Sequence, residues 1–164
     1  MKTLYLIRHA KSDWSDESLS DFDRPLNKRG VKDAPLMGSK LLERGILPNL
    51  ILSSPALRAK TTAHAIAQAL SYPTDSIRYI HALYASDAQT ILSIIRDVSA
   101  SVETLFLFGH NPEITECANF ITGGDIDNIP TCGVVAIQLK NDSWESIGRN
   151  SADIIEFDFP KKYR

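Results

Sequence analysis

Two histidines and two arginines carry most of the chemistry this sequence could perform. Arg8-His9 closes one short apolar run and Gly109-His110-Asn111 closes another. A third run ends in Ser53-Ser54-Pro55, with Arg58 in the first turn of the helix expected after it. Guanidinium groups fork onto phosphate oxygens, so paired arginines suit a phosphoryl group. Helix N-termini near Ser54 and Asn111 would add unpaired N–H groups and positive dipole ends. A neutral imidazole can attack phosphorus in line, and a second can donate a proton or stabilise the transferred group. The arginines would spread over the equatorial oxygens, where the transition state holds its charge. Fixed guanidinium charge does the neutralising, so no metal is needed. Each residue also has an ordinary explanation. A histidine at a strand end can be structural, and Arg58 can be a surface charge. Their joint placement at three strand ends favours a pocket. His64, inside a helical pattern, and His81, after a weak strand, are read as structural. A zinc site on His9 and His110 would need a third ligand such as Asp13, Asp23 or Glu113, and no HxH or HExxH spacing supports it.

The elements between these residues must bring them together. Thr3–Ile7, Leu50–Ser53 and Thr104–Phe108 read as buried strands, with Ile77–Ile80 a weaker one. Asn27 is placed to cap a helix reaching about Arg44, with Val31, Leu36, Met37, Leu41 and Leu42 inward and Pro35 kinking or splitting it. Ser54 is expected to cap a second helix, with Pro55 at its first position and Ala59, Ala63, Ile66, Ala67 and Leu70 on one face. Ser86 or Asp87 starts a third, through Ile91, Leu92, Ile95 and Val98. Asn111-Pro112 starts a fourth, with Ile114, Ala118 and Ile121 inward, closed by Gly123-Gly124. Gly133–Lys140, Trp144–Ile147 and Ala152–Phe159 read as strands returning in hairpins, and Pro160–Arg164 as a solvated tail. Alternating strands and helices predict an α/β sandwich with a parallel core and antiparallel final strands at an edge. Functional groups in such sheets gather beyond the C-terminal strand ends.

Composition narrows the class further. A chain of 164 residues suits one domain, 1–164. Hydrophobic residues at 43% and charged residues at 23% exclude a disordered chain and a disulfide-rich mini-protein. With 18 Lys+Arg against 20 Asp+Glu, the formal charge of -2 argues against general binding to nucleic acid or an anionic membrane. Cys117 and Cys132 form no CxxC and read as small buried hydrophobes of a reduced protein. No apolar run approaches the ~18 residues of a membrane span. The N-terminus lacks a signal-peptide pattern, so a cytoplasmic location is expected.

The segments LYLIRHAKSDW, DFDRPLNKRG, LILSSPALRAKTTA and LFLFGHNPEIT, in this order, resemble the histidine phosphatase superfamily. Within it the chain is similar to the small phosphohistidine phosphatase SixA-like branch, from Met1 to about Phe159. The resemblance implies a three-layer α/β/α sandwich with a mostly parallel sheet and no cofactor. It implies that His9 is the nucleophile that becomes phosphorylated, that Arg8 and Arg58 bind the phosphate, and that His110 stabilises it. Three departures stand out. The more familiar RHG is Arg8-His9-Ala10 here. Ala85 occupies the place of a Glu general acid. Ser15 stands where relatives carry an Asn. Alkoxide leaving groups need a proton, and a positioned acid typically contributes 10²–10⁴-fold. The imidazole of a phosphohistidine leaves more readily. No long insertion between Arg58 and His110 could form a lid. The expected substrate is therefore a phosphorylated protein, through its phosphohistidine. A small phosphate ester, or a phosphate-binding module without turnover, are the alternatives. Asp13, Asp23 and Asp87 are candidate replacements for the acid. Lys11, Asp13 and Trp14 read as an exposed loop rather than a substrate rim.

Overall fold

Six strands form one sheet in the computed structural model, which describes residues 1–164. They are β1 (Thr3–Arg8), β2 (Leu50–Ser53), β3 (Arg78–Tyr79), β4 (Thr104–Gly109), β5 (Val134–Leu139) and β6 (Ala152–Asp158). The order is β3-β2-β4-β1-β5-β6. The first four strands in that order run parallel, and β5 and β6 are antiparallel at one edge. Helices α1 (Lys28–Glu43) and α2 (Leu57–Ala69) cover one face, α3 (Ala88–Arg96) and α4 (Glu113–Thr122) the other. The result is a three-layer α/β/α sandwich, as expected.

The two layers explain why the strands are apolar without interruption. Tyr5, Ile7, Phe106 and Phe108 pack against Met37, Leu41 and Ile66. Their neighbours Leu4, Leu6, Leu105 and Leu107 join Ile91, Leu92, Ile114 and Ile121 on the opposite side. Successive strand residues point to opposite faces, so a sheet covered twice needs both parities apolar. Burying each such side chain fully contributes roughly 1.5–3 kcal/mol.

The topology also opens a crevice. β1 and β4 are neighbours, yet the chain leaves β1 towards α1 and leaves β4 towards α4 on the other face. Strand order switches there, and a cleft forms beyond the C-terminal ends. Arg8 pairs with Gly109 in the register of β1 and β4. The His9 N–H then donates to the Gly109 carbonyl at 3.1 Å, which carries the pairing past the end of the sheet.

Several local expectations differ from the structure. Helix α1 runs without a break through Pro35. Proline removes the bond to the Val31 carbonyl, but both residues are exposed, Val31 at 58%, so water can serve that carbonyl. Leu42 is also exposed, and the buried stripe is Gly30, Ala34, Met37 and Leu41. Trp144–Ile147 is not a strand. Trp144 turns into the core and its indole N–H donates to the Val102 carbonyl at 2.8 Å. The tail is not free in solvent either. Pro160–Tyr163 forms a short 3-10 helix; Tyr163 donates to Asp158 at 2.7 Å, and Arg164 pairs with Asp33 at 2.9 Å. Asp33 and Asp158 are both buried, and a buried carboxylate without a partner is strongly destabilising.

Gly30 marks where α1 meets the loop after β1. A Cβ there would collide with the Lys11 backbone carbonyl. Helix propensity alone would make Gly30→Ala stabilising by about 1 kcal/mol. The collision should reverse that sign and cost about 1–3 kcal/mol, measured by urea denaturation. A more stable variant would show that the segment yields freely.

Candidate active site

The crevice between β1 and β4 receives a histidine from each strand end. The His9 and His110 rings lie 5.1 Å apart, centroid to centroid, and each residue is only 7% exposed. Arg8 arrives with β1, and Arg58 from the first turn of α2. All four expected site residues line one cavity of about 330 Å³, together with Lys11, Ser12, Trp14, Arg24, Asn111 and Thr131. Lys11 and Trp14 thus belong to the cavity wall, while remaining exposed. His64 and His81 are exposed and lie outside it.

Arg24 is the residue that sequence reasoning missed. It sits between a turn and the Asn27 cap, where neither periodicity nor strand-end position marks it. Its place in the DFDRPLNKRG segment was the available signal. It is 8% exposed, its guanidinium stacks 3.5 Å over the Trp14 ring, and it donates to the Ser12 hydroxyl.

One carboxylate organises the arginines. Asp21 accepts from Arg24 at 2.6 Å through Oδ1, and from Arg58 at 3.0 Å and Tyr84 at 2.8 Å through Oδ2. Its backbone carbonyl takes a further bond from Arg58 at 2.6 Å. These partners, the Arg24 hydrogen bond first, hold the Asp21 carboxyl far below the usual carboxylate range. Arg8 is anchored separately, donating to the Ile129 carbonyl at 3.0 Å. Four buried polar atoms stay without partners: Nε of Arg8, Arg24 and Arg58, and Nδ1 of His110. Each unsatisfied buried group costs about 1–3 kcal/mol, which an anion held among them would offset.

The histidines differ in their hydrogen bonds. His9 Nδ1 lies 2.7 Å from the Ala10 carbonyl, which can only accept, so that nitrogen carries the proton. The lone pair is then on Nε2. His110 Nε2 lies 2.8 Å from the Ser54 hydroxyl, which itself takes a bond from the Ala56 N–H at 3.2 Å. Ser54 is therefore not the helix cap that its position suggested. Helix α2 starts at Leu57 after Ala56, with no side-chain cap. Burial lowers His9 from 6.5 to about 3 and His110 to about 4. For His110 the Arg58 charge is the next cause. Both imidazoles are neutral at pH 7.

No carboxyl group lines the cavity. Ala85 is exposed, in the left-handed region at φ 52. Asp13 accepts from the Ser15 N–H at 2.8 Å and Asp87 from the Thr90 N–H at 2.7 Å, and local hydrogen bonds of this kind hold both below the usual range. Burial raises Glu113, which stands at the start of α4 outside the cavity. Tyr84 packs edge-on against His110, with ring centroids 5.8 Å apart. No three His, Cys, Asp or Glu side chains gather closely enough to hold a metal ion. Burial raises both thiols, Cys117 to about 12, which makes them poor nucleophiles. No helix is long and apolar enough to cross a membrane.

Fold and cavity together define an open α/β protein with an arginine-lined, two-histidine pocket at its switch point. Comparison with known proteins makes that class specific. The model of the histidine phosphatase superfamily (branch 1) matches residues 4–83. An uncharacterized chloroplastic protein of Arabidopsis thaliana is 37% identical over 152 residues, 88% of this chain and 69% of its own length. The solved structure of a protein assigned as phosphohistidine phosphatase SixA from Agrobacterium tumefaciens is 30% identical. It superposes with a TM-score of 0.82, covering 97% of this chain and 98% of that one. A SixA protein histidine phosphatase complexed with tungstate has the same fold, with a TM-score of 0.85 at 19% identity, covering 99% of each chain. The chain belongs to the histidine phosphatase superfamily. That membership and the likeness to SixA support phosphatase function.

Two predictions follow from the geometry. An unfolded chain binds protons at histidine near pH 6.5, whereas native His9 and His110 stay neutral to about 3 and 4. Stability should be full above pH 6.5 and fall on acidification below it, by up to ~1.4 kcal/mol per pH unit per histidine. Denaturant titrations at pH 7.5 and 5 would show this, and His9→Asn should reduce the loss. The second concerns Asp21, whose half-exposed carboxylate pairs with the buried Arg24 and Arg58 side chains. Asp21→Ala should lower the melting temperature, because two buried guanidinium groups lose their shared carboxylate, and should lower kcat/KM about 10-fold. Unaltered kinetics would show that the arginines hold themselves.

Proposed function

We propose that this protein is a metal-independent phosphatase that removes the phosphoryl group from phosphohistidine on proteins, through a phosphohistidine intermediate on His9. The observation that carries the reading is a cavity with three arginines and two neutral imidazoles but no carboxyl group. Such a site binds and transfers a phosphoryl group well and protonates a leaving oxygen poorly.

In this reading Arg8, Arg24 and Arg58 hold the phosphoryl oxygens, and their charge takes the place a metal would otherwise fill. His9 Nε2, with its lone pair free, attacks phosphorus. The P–N bond to the substrate imidazole breaks, and that nitrogen departs with the electron pair and takes up a proton from solvent. Water next attacks the phosphoryl group on His9. The P–Nε2 bond breaks, its electrons return to His9, and the proton released goes to the departing phosphate. His110 supports the transferred group through the nitrogen that has no protein partner. The tungstate bound by the SixA relative is an anion of similar shape. An unlidded mouth suits a phosphoryl group presented on a protein surface.

The test compares substrates on one enzyme. The value of kcat/KM should be at least 10-fold higher for a phosphohistidine peptide than for a sugar phosphate or p-nitrophenyl phosphate, and unchanged by chelators. Rapid acid-free quench should trap a base-stable, acid-labile adduct that is absent in His9→Ala. Preference for the sugar phosphate would overturn the substrate, in favour of a small phosphomonoesterase. Full activity in His9→Ala would overturn the mechanism.

A further inference from the structure

A second groove lies beside the phosphoryl cavity. Its volume is about 480 Å³, and it is lined by Trp14, Asp16, Glu17, Leu19, Asp21 and Arg24. Trp14 and Arg24 line both spaces, so the two are separated by a single stacked pair. Trp14 is 69% exposed and Leu19 40%. Apolar surface shown this openly beside a pocket marks a contact region. Arg24 is its opposite: it is 8% exposed, and its guanidinium bonds to Asp21 and the Ser12 hydroxyl. The remaining wall is acidic. The Asp16 side chain bonds only to Ser18, and neither it nor Glu17 is in an ion pair. The nearby cations do not neutralise this wall, because Arg24 is committed to Asp21 and Lys11 lines the phosphoryl side.

We propose that this groove is a subsite for a lysine or arginine side chain adjoining the phosphorylated residue of the substrate. The proposal rests on the reading of a protein substrate. The aliphatic stem of the guest lies along Trp14 and Leu19, and its cationic head reaches Asp16 and Glu17. A second phosphate or a carboxylate in the same place meets like charge. At physiological salt the Debye length is about 8 Å, so the selection acts on residues next to the phosphoryl group and little beyond them. The groove thereby reads substrate chemistry that the phosphoryl cavity cannot.

The experiment uses phosphohistidine peptides that differ only in carrying Lys, Gln or Glu beside the phosphorylated residue. Wild type should prefer Lys over Glu by about 3- to 10-fold in kcat/KM, expressed in KM and weakened by added salt. The double variant Asp16→Asn/Glu17→Gln should lose this preference and keep its rate on p-nitrophenyl phosphate. Trp14→Ala should raise KM for the Lys peptide more than for the Glu peptide. Equal rates on all three peptides, or a preference that persists in the double variant, would overturn the subsite. If no phosphohistidine peptide is turned over while esters are, the substrate reading fails. The same flanking series built on phosphotyrosine then decides the subsite by the same ordering.

Discussion

The parallel pairing of β1 with β4 is the constraint on which the site depends. Arg8 stands opposite Gly109, so the next residues, His9 and His110, emerge side by side over the crevice. That register is held by the core. Tyr5 and Ile7 face one helical layer, and Leu4 and Leu6 face the other. A slip of one residue would exchange the two sets and mismatch both layers at once. Gly109 adds a local condition. A Cβ there would come within 3.0 Å of the Ile114 side chain, so glycine lets α4 begin tightly behind the second histidine.

Within that frame, burial sets the protonation of the site. Three guanidinium groups face two imidazoles, and Asp21 is the carboxylate that answers the arginine charge. Desolvation first keeps both histidines neutral, followed for His9 by its neighbour His110 and then the arginine charges, and for His110 by the Arg58 charge. Neutrality is what a nucleophilic His9 requires. A phosphoryl dianion reverses the local balance, since negative charge beside His110 favours its protonated form. In the proposed reaction a protonated His110 would then stabilise the bound phosphoryl group.

Much of this was legible in the sequence, for identifiable reasons. The strands are buried on both faces and so read as apolar runs, and Asn27, Asp87 and Gly123 sit at the helix ends where capping residues belong. Strand-end position alone brought Arg8, His9, Arg58 and His110 to one edge. What stayed hidden depends on long-range partners. Arg24 and Asp21 matter because a loop folds back on α2, and no periodicity records that. The tail is held by two buried acids, Asp158 nearby in the chain and Asp33 far from it, and the second of these is invisible to any local pattern. Trp144–Ile147 has a strand's composition, but the Val102 carbonyl draws the indole inward and the segment closes as a turn.

The same electrostatics bears on the missing general acid. A carboxyl group must keep its proton at neutral pH to protonate a leaving oxygen, and burial away from cations is what raises its pKa. Around this pocket the conditions run the other way. Asp21, at the arginines, is pushed far down. Asp13 and Asp87 are lowered by the hydrogen bonds of their own turns. Glu113 is raised, but it stands outside the cavity. The segment around Ala85 contributes Tyr84 instead, which braces Asp21 and the His110 ring rather than offering an acid. In this chain the arginine charges favour the ionised form of the carboxyl beside them, Asp21. In the proposed reaction the leaving group is an imidazole, which departs without such an acid and so asks for no added carboxyl.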